Sequence, residues 1–392
     1  MHSKSAVILI ALLFPLIADP AISAGADERY RLSGPVVHDN LAIYFVHGAS
    51  SSGPVPLPLD EALTKGFVQV YETGSVNELA IENRGDEEVF VQSGDIVKGG
   101  QQDRALTVSL LLPPHSGRIP IAAFCVERGR WSRRGNEDVR QFSTAAVAIP
   151  SHDAKLAMKA PAAPADPAAT VGSAPPIRTS FNTGERQREV WASVARVIDH
   201  LSSSLDVSVA SPLSQTSLEL ALEHDQELKN AQLAYLAAVQ PEGERDADII
   251  GYVFAVNGKL SSADIYASNG LFRKMWPKLS TASATEAIAE RHGAGAAAPS
   301  IEAVAAFMVA AEAGQATQRN LTENAQLETR DSDQALYFET RWSDGRWAHR
   351  NYLEKLVGLG RRGECRAPTG WHYSRRGGAL ESPHARRPER SD

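Results

Sequence analysis

The sequence predicts an α+β fold, with a β-rich N-terminal half of antiparallel hairpins and a C-terminal half of helices and hairpins, the two forming one composite domain. Three observations predict it. Residues 41–126 fall into short runs of β-formers punctuated by Gly, Pro, Asn and Asp. Val190, Trp191, Val194, Val197, Ile198 and Leu201 recur at helical spacing. Asn257-Gly258 separates two β-patterned runs, and that dipeptide favours a type I′ hairpin turn.

Taken in order, the chain opens like a secretory signal, with Lys4, an apolar run from Ala6 to Ala18, and small residues around Ala24-Gly-Ala26. Residues 1–26 are therefore expected to be removed on export, leaving a chain that starts near Gly25 or Asp27. The expected destination is periplasmic or extracellular, with no transmembrane segment in the mature chain. The β-rich half spans 27–150. Leu41–Val46 and Phe67–Tyr71 read as strands around a short helix, Leu59–Leu63. Runs 76–82 and 88–92 flank Asn83-Arg-Gly-Asp86, read as a hairpin turn.

Residues 151–182 read as an Ala/Pro-rich linker or insertion, because Pro161-Ala-Ala-Pro-Ala-Asp-Pro167 offers nothing to pack. The mixed half spans 183–357. After the 190–201 helix, Leu218–Leu236 reads as one second helix. Its Glu219, Glu223, Glu227 and Lys229 look like a solvated face. Ser268 is placed to cap a helix over 271–279, and Ser300 an Ala-rich helix through Ala313. Ala335–Thr340 reads as a strand, followed by Trp347–Leu356. Residues 358–392 carry Arg361, Arg362, Arg366, Arg375, Arg376, Arg386, Arg387 and Arg390 among Gly, Pro and Ser. That composition predicts a disordered basic tail able to touch anionic surfaces.

Two polar motifs interrupt the apolar pattern: Gly94-Asp-Ile-Val-Lys-Gly-Gly-Gln-Gln-Asp-Arg104 and Cys125-Val-Glu-Arg-Gly-Arg-Trp131. The intervening runs 105–112 and 119–126 flank Pro113-Pro-His-Ser-Gly117 and read as a hairpin. If Leu112 faces Ile119, then Leu106 faces Cys125 and Arg104 faces Glu127 at the open end. Gly99 and Gly100 can adopt positive φ and present N–H groups to an anion. Gln102, Arg104, Arg130 and Trp131 would complete a binding corner: Arg as a forked donor to phosphate or carboxylate, Trp as a stacking surface. The same spacing also fits a structural corner with a cross-strand ion pair.

Other chemistry has less support. Cys125 falls on the apolar face and reads as a buried thiol, leaving its pairing with Cys365 open. There is no His-Glu-x-x-His, Cys-x-x-Cys, Walker loop, dinucleotide fingerprint or Gly-x-Ser-x-Gly elbow. No metal site and no cofactor are expected. A net charge of −7 argues against nucleic acid as a partner.

The two motifs occur in order with Gln187-Arg-Glu-Val-Trp191 and Val256-Asn-Gly-Lys-Leu-Ser-Ser-Ala-Asp264, then Leu271-Phe272 and Trp276-Pro-Lys-Leu279. Together they resemble the bacterial ADP-ribosylglycohydrolase- and rhodanese-phosphatase-associated protein domain family, across roughly residues 41–353. The resemblance implies one α+β domain spanning both halves. It also implies that Gly99, Gly100, Gln102, Arg104, Glu127, Arg130 and Trp131 occupy the family's polar positions. The family has no established activity, and its associations hint at nucleotide- or ADP-ribose-related chemistry. The Ala/Pro insertion, the Arg-rich tail and the export signal depart from a plain member. The leading expectation is an exported module binding a small anionic or polyhydroxylated molecule. The rivals are a hydrolase or transferase with Glu127 as general acid/base, and an interaction scaffold with no small-molecule site.

Overall fold

Three β-sheets, almost wholly antiparallel, carry the chain, and the largest is woven from both sequence halves. The computed structural model describes residues 29–132, 134, 141–145, 147–159, 183–291 and 296–355. The predicted signal, the Pro-rich stretch beyond residue 159 and the Arg-rich tail lie outside the described residues.

The first half runs β1 (Arg31–His38), β2 (Leu41–His47), β3 (Leu57–Pro58), α1 (Leu59–Thr64), β4 (Val68–Glu72) and β5 (Glu78–Asn83). It continues with β6 (Val89–Val91), β7 (Ile96–Gly99), β8 (Arg104–Leu106), β9 (Leu110–Leu112), β10 (Gly117–Cys125), β11 (Phe142–Thr144) and α2 (His152–Lys159). The second half runs α3 (Thr183–Leu205), α4 (Leu218–His224), α5 (Gln226–Glu244), β12 (Ile249–Val256), β13 (Lys259–Tyr266) and α6 (Asn269–Ala289). It ends with α7 (Ile301–Glu312), β14 (Gln315–Thr322), β15 (Ala325–Asp331), β16 (Ala335–Trp342) and β17 (Trp347–Glu354).

The large sheet has the order β1-β2-β12-β13-β17-β16-β15-β14. β2 is buried along its whole length because both of its faces are covered. Leu41, Ile43 and Phe45 join the core that includes residues of α3, α5 and α6. The alternate residues Ala42, Tyr44 and Val46 join Val304, Phe307 and Met308 of α7. Asn257 and Gly258 both take positive φ between β12 and β13, as a type I′ turn requires. Ser268 and Ser300 cap α6 and α7 by accepting from Leu271 N–H and Ala303 N–H.

A second sheet, β11-β7-β8-β10-β5-β4, and a small one, β3-β6-β9, form the rest around a separate apolar cluster. Here the structure corrects several expectations. Asn83–Asp86 does not turn a hairpin: β5 pairs with β4 and β10, whereas β6 pairs with β3 and β9. The Asn83 amide instead ties the crossing together, donating to the Glu87, Leu112 and Pro113 carbonyls. The 105–126 hairpin is also split. Leu110–Leu112 leaves the sheet to pair with β6, while the first part of β10 pairs with β5. Only three residue pairs of β8 and β10 remain opposed, and Arg104 faces Cys125 rather than Glu127.

Residues 152–159 of the segment read as linker form α2, with Ala154, Ala157 and Met158 buried. The helix read over 218–236 is two, broken at Asp225, whose side chain caps α5 by accepting from Leu228 N–H. The sequence halves nonetheless form one unit through Lys355. Among the described residues, no helix is long and apolar enough to cross a membrane.

Candidate functional site

The Gly94–Arg104 motif supplies β7, a tight loop and β8, and the Cys125–Trp131 motif follows the end of β10. Gly99 has φ 115° and Gly100 φ 54°, so both need the freedom of glycine. A Cβ on Gly100 would lie 2.3 Å from the Phe142 ring and 2.6 Å from Glu72 Oε1. Their N–H groups do not form an open anion nest. Gly99 N–H donates to Asp103 Oδ1 at 2.9 Å, and Gly100 N–H to the Gln141 carbonyl at 3.3 Å. These two glycines shape the loop and leave no N–H for a ligand.

Arg130 is consumed in the same way. Its Nε donates to Glu127 Oε2 at 2.5 Å. Its other nitrogens donate to the Gly100, Ser132 and Gly99 carbonyls and to Asp103 Oδ1, at 2.8–3.3 Å. Arg134 closes the far side, 2.9 Å from Asp103 Oδ2 and 3.5 Å from Glu127 Oε1. Ser217, the cap of α4, donates to Asp103 Oδ2 at 3.0 Å. Asp103 and Glu127 are fully buried, each held between the same two arginines. Glu127 thus sits in a sealed ion cluster. A general base needs an approach for its proton donor, and the arginines occupy it.

Arg104 is different. Its side chain is wholly buried, yet none of its three nitrogens has a hydrogen-bond acceptor among the described residues. The nearest carboxylate oxygen is Glu72 Oε2 at 3.8 Å, and Glu72 Oε1 already accepts from Gln101 N–H. Burial pulls the Arg104 pKa below its ordinary value, against the opposing influence of Cys125 and Glu72. The half-exposed Trp131 ring lies 5.6 Å from the guanidinium carbon, in cation–π range. Gln102 donates to the Glu127 carbonyl at 3.3 Å and leaves its own Oε1 buried without a partner. Of the sequence-nominated group, Gln102, Arg104 and Trp131 keep unspent recognition chemistry, whereas Gly99, Gly100 and Arg130 are satisfied within the fold and Glu127 is ion-paired to both arginines, its Oε1 without a hydrogen bond.

Cys125 lies beneath this corner, buried and unpaired. Its Sγ donates to the Glu127 carbonyl at 2.9 Å, and burial pushes its pKa up despite hydrogen bonds and Arg104 nearby. That protonated state suits a structural thiol rather than a nucleophile. Gln187 of α3 clasps the edge of β10, accepting from Cys125 N–H at 2.9 Å and donating to the Cys125 carbonyl at 2.8 Å. Its role explains why Gln187 falls in a motif that carries no chemistry.

Sequence reasoning missed Asp103, Arg134, Ser217 and Glu219. Glu219 is not on a solvated face: it is buried, 2.7 Å from Lys98 Nζ, which also binds Glu223 at 2.6 Å. Burial, with Glu223 beside it, pushes the Glu219 pKa up to about 8 against the pull of Lys98. In the one metal-capable trio among the described residues, His47, Asp246 and Asp248, two members are already engaged. His47 bonds Asp248 and Ser33 through its two ring nitrogens, and Arg31 pairs with Asp248.

No curated protein and no solved structure matches the chain. The model of one family, the ARG and Rhodanese-Phosphatase-superfamily-associated Protein domain, matches residues 29–353. That span takes in strands of all three sheets and the motifs from Gly94 to Leu279, so the chain belongs to the ARG and Rhodanese-Phosphatase-superfamily-associated Protein (ARPP-1) domain family.

Proposed function

We propose that this chain is an exported binding module for a small anionic or polyhydroxylated ligand, in the size range of a nucleotide or an ADP-ribose-like molecule. The observation that carries this reading is Arg104. A buried guanidinium with no acceptor is costly, because an uncompensated ion inside a protein loses several kcal/mol of hydration. An anionic ligand supplies the missing acceptors through paired N–H···O bonds. Gln102 Oε1 adds an unused acceptor for a ligand hydroxyl, and Trp131 adds a flat apolar surface for a base or sugar.

The expected export rests on the sequence of residues 1–26. A scaffold reading is favoured by one observation: Asp103, Glu127, Arg130 and Arg134 satisfy one another almost completely. The hydrolase or transferase reading is weakened because both Glu127 oxygens face arginines.

Thermal denaturation of the mature chain with AMP, ADP-ribose, inorganic phosphate and acidic sugars tests the proposal, since a ligand bound to the native state alone raises apparent stability. At least one of these is expected to raise the midpoint, and Arg104→Met to abolish that rise while staying folded. A parent protein indifferent to all of them, with Trp131→Ala equally indifferent, favours the scaffold.

A further inference from the structure

A second polar constellation lies between the large sheet, α2 and α6, independent of the Arg104 corner. Its centre is Asp264 of β13, almost fully buried. Asp264 Oδ1 accepts from His349 at 3.0 Å, Asn351 at 2.9 Å and Gln92 at 3.4 Å. Burial works against this carboxylate, but these donors and the nearby lysines leave its pKa below the ordinary value. The carboxylate is therefore ionised and already served by three donors.

Lys159, the last residue of α2, reaches this cluster only through a neutral group. Its Nζ donates to Asn351 Oδ1 at 2.5 Å and stands 5.2 Å from the Phe338 ring. The Asn351 orientation is fixed, because its Nδ2 donates both to Asp264 and to the Ala263 carbonyl. Hence the amide oxygen, an acceptor without charge, is what faces the amine. Lys155, one turn earlier on α2, is matched by Glu286 of α6 at 3.1 Å. Lys159 has no such carboxylate among the described residues: no Asp or Glu oxygen lies within ion-pair distance of it. It remains partly exposed.

We propose that Lys159 is a nucleophilic amine that condenses with the carbonyl group of a small aldehyde or ketone. The lone pair of Nζ attacks the carbonyl carbon, the C–O bond breaks, and the oxygen leaves as water with the two amine protons, giving an imine at Nζ. An uncharged electrophile suits the place, since surroundings that disfavour an ammonium disfavour other unpaired charge too. Burial pulls the Lys159 pKa down to about 8, opposed by Asp264 and assisted by Lys155. The other titratable groups packed here include His349 of β17 and His152 of α2, held neutral by burial, and Tyr252 of β12 and Tyr266 of β13, whose hydroxyls are kept protonated by burial. A lysine at this value presents far more free amine at pH 7 than an ordinary one.

The test is competitive labelling of the intact chain at pH 7 with limiting formaldehyde and cyanoborohydride, which traps the imine as an alkyl-lysine, followed by peptide mass spectrometry. Lys159 is expected to react at least about tenfold faster than the exposed Lys229 and Lys259, given the gap from the ordinary lysine pKa. Asn351→Asp places a carboxylate beside the amine, restores its proton, and is expected to remove that preference. Labelling of Lys159 no faster than Lys229 overturns the proposal. So does an Asn351→Asp variant that is folded by circular dichroism and keeps the full preference. Should that variant fail to fold, the parent comparison decides alone.

Discussion

Replacing Arg104 by Met should leave the ligand-free protein at least as stable as the parent. The guanidinium is fully buried, and its one carboxylate neighbour, Glu72, stands 3.8 Å away. At an effective dielectric near 20 that separation gives an attraction of about 4 kcal/mol. Against it stand a desolvation cost of several kcal/mol and N–H groups with no acceptor. Arg130 adds repulsion. The opposing contributions are similar in size, so arginine contributes little net stability here. Met fills similar volume without charge, and Glu72 keeps its hydrogen bond from Gln101 N–H. Glu72 stays behind without its cation, but its side chain reaches solvent, so the lost attraction is offset by the removed burial cost and the net change is expected near zero or slightly favourable. Urea unfolding at pH 7 without ligand measures it, with unchanged slope showing that the two states still bury the same surface. A loss greater than about 1 kcal/mol would refute the reasoning, because it would mean that Arg104 already has its partner within the fold.

The sealed cluster should behave oppositely: Glu127→Ala is expected to cost on the order of 3 kcal/mol by leaving the buried Arg130 and Arg134 to share Asp103 with one carboxylate too few. A double-mutant cycle by urea unfolding should show strong Glu127–Arg130 coupling and little for Glu127–Arg104, which are not paired. Glu219 predicts a pH dependence. Its folded pKa, about 8, lies above the usual 4.5, so its contribution is full below the unfolded value and is lost as pH rises through about 8. Chemical denaturation from pH 5 to 9 should show that fall, flattened in Glu219→Gln. Gly100→Ala should lower the thermal midpoint through a clash with Phe142 and an unfavourable positive φ, a penalty of order 1–3 kcal/mol or more. For export, mass spectrometry of periplasmic protein from a Gram-negative host should find a chain starting near Gly25 or Asp27; intact Met1 there would contradict it.

What the sequence made legible was local. Asn257-Gly258, Ser268 and Ser300 announce a turn and two caps because each acts on backbone groups within three residues. The same logic misled at Asn83–Asp86, where turn chemistry serves a crossing between sheets rather than a hairpin. Strand pairing beyond a turn is decided by distant partners. Nothing in Leu110–Leu112 itself says that β6 will claim it and shift the Arg104 register by two residues. The clustering of the corner's polar residues is legible because they stand out against apolar strands. The division of labour within the corner is not, since Arg134, Ser217 and Glu219 come from segments with no local link to Asp103 or Lys98. The helical charge pattern alone reads Glu219 as solvated, whereas it is buried against Lys98 and Arg134, residues far away in sequence.

The placement of β2 bears on how this chain is made. The strand is apolar on both faces and hydrogen-bonds to β1 on one edge and to β12 on the other. β12 begins at Ile249, so β2 emerges early from a ribosome and stays without its second partner until some two hundred further residues have followed. Closing so long a loop is thermodynamically mild, because its entropy grows only with the logarithm of length. Kinetically it makes a long waiting period in which a sticky strand needs shelter. Under the proposed export this delay would help, because the central sheet cannot close before the second half arrives.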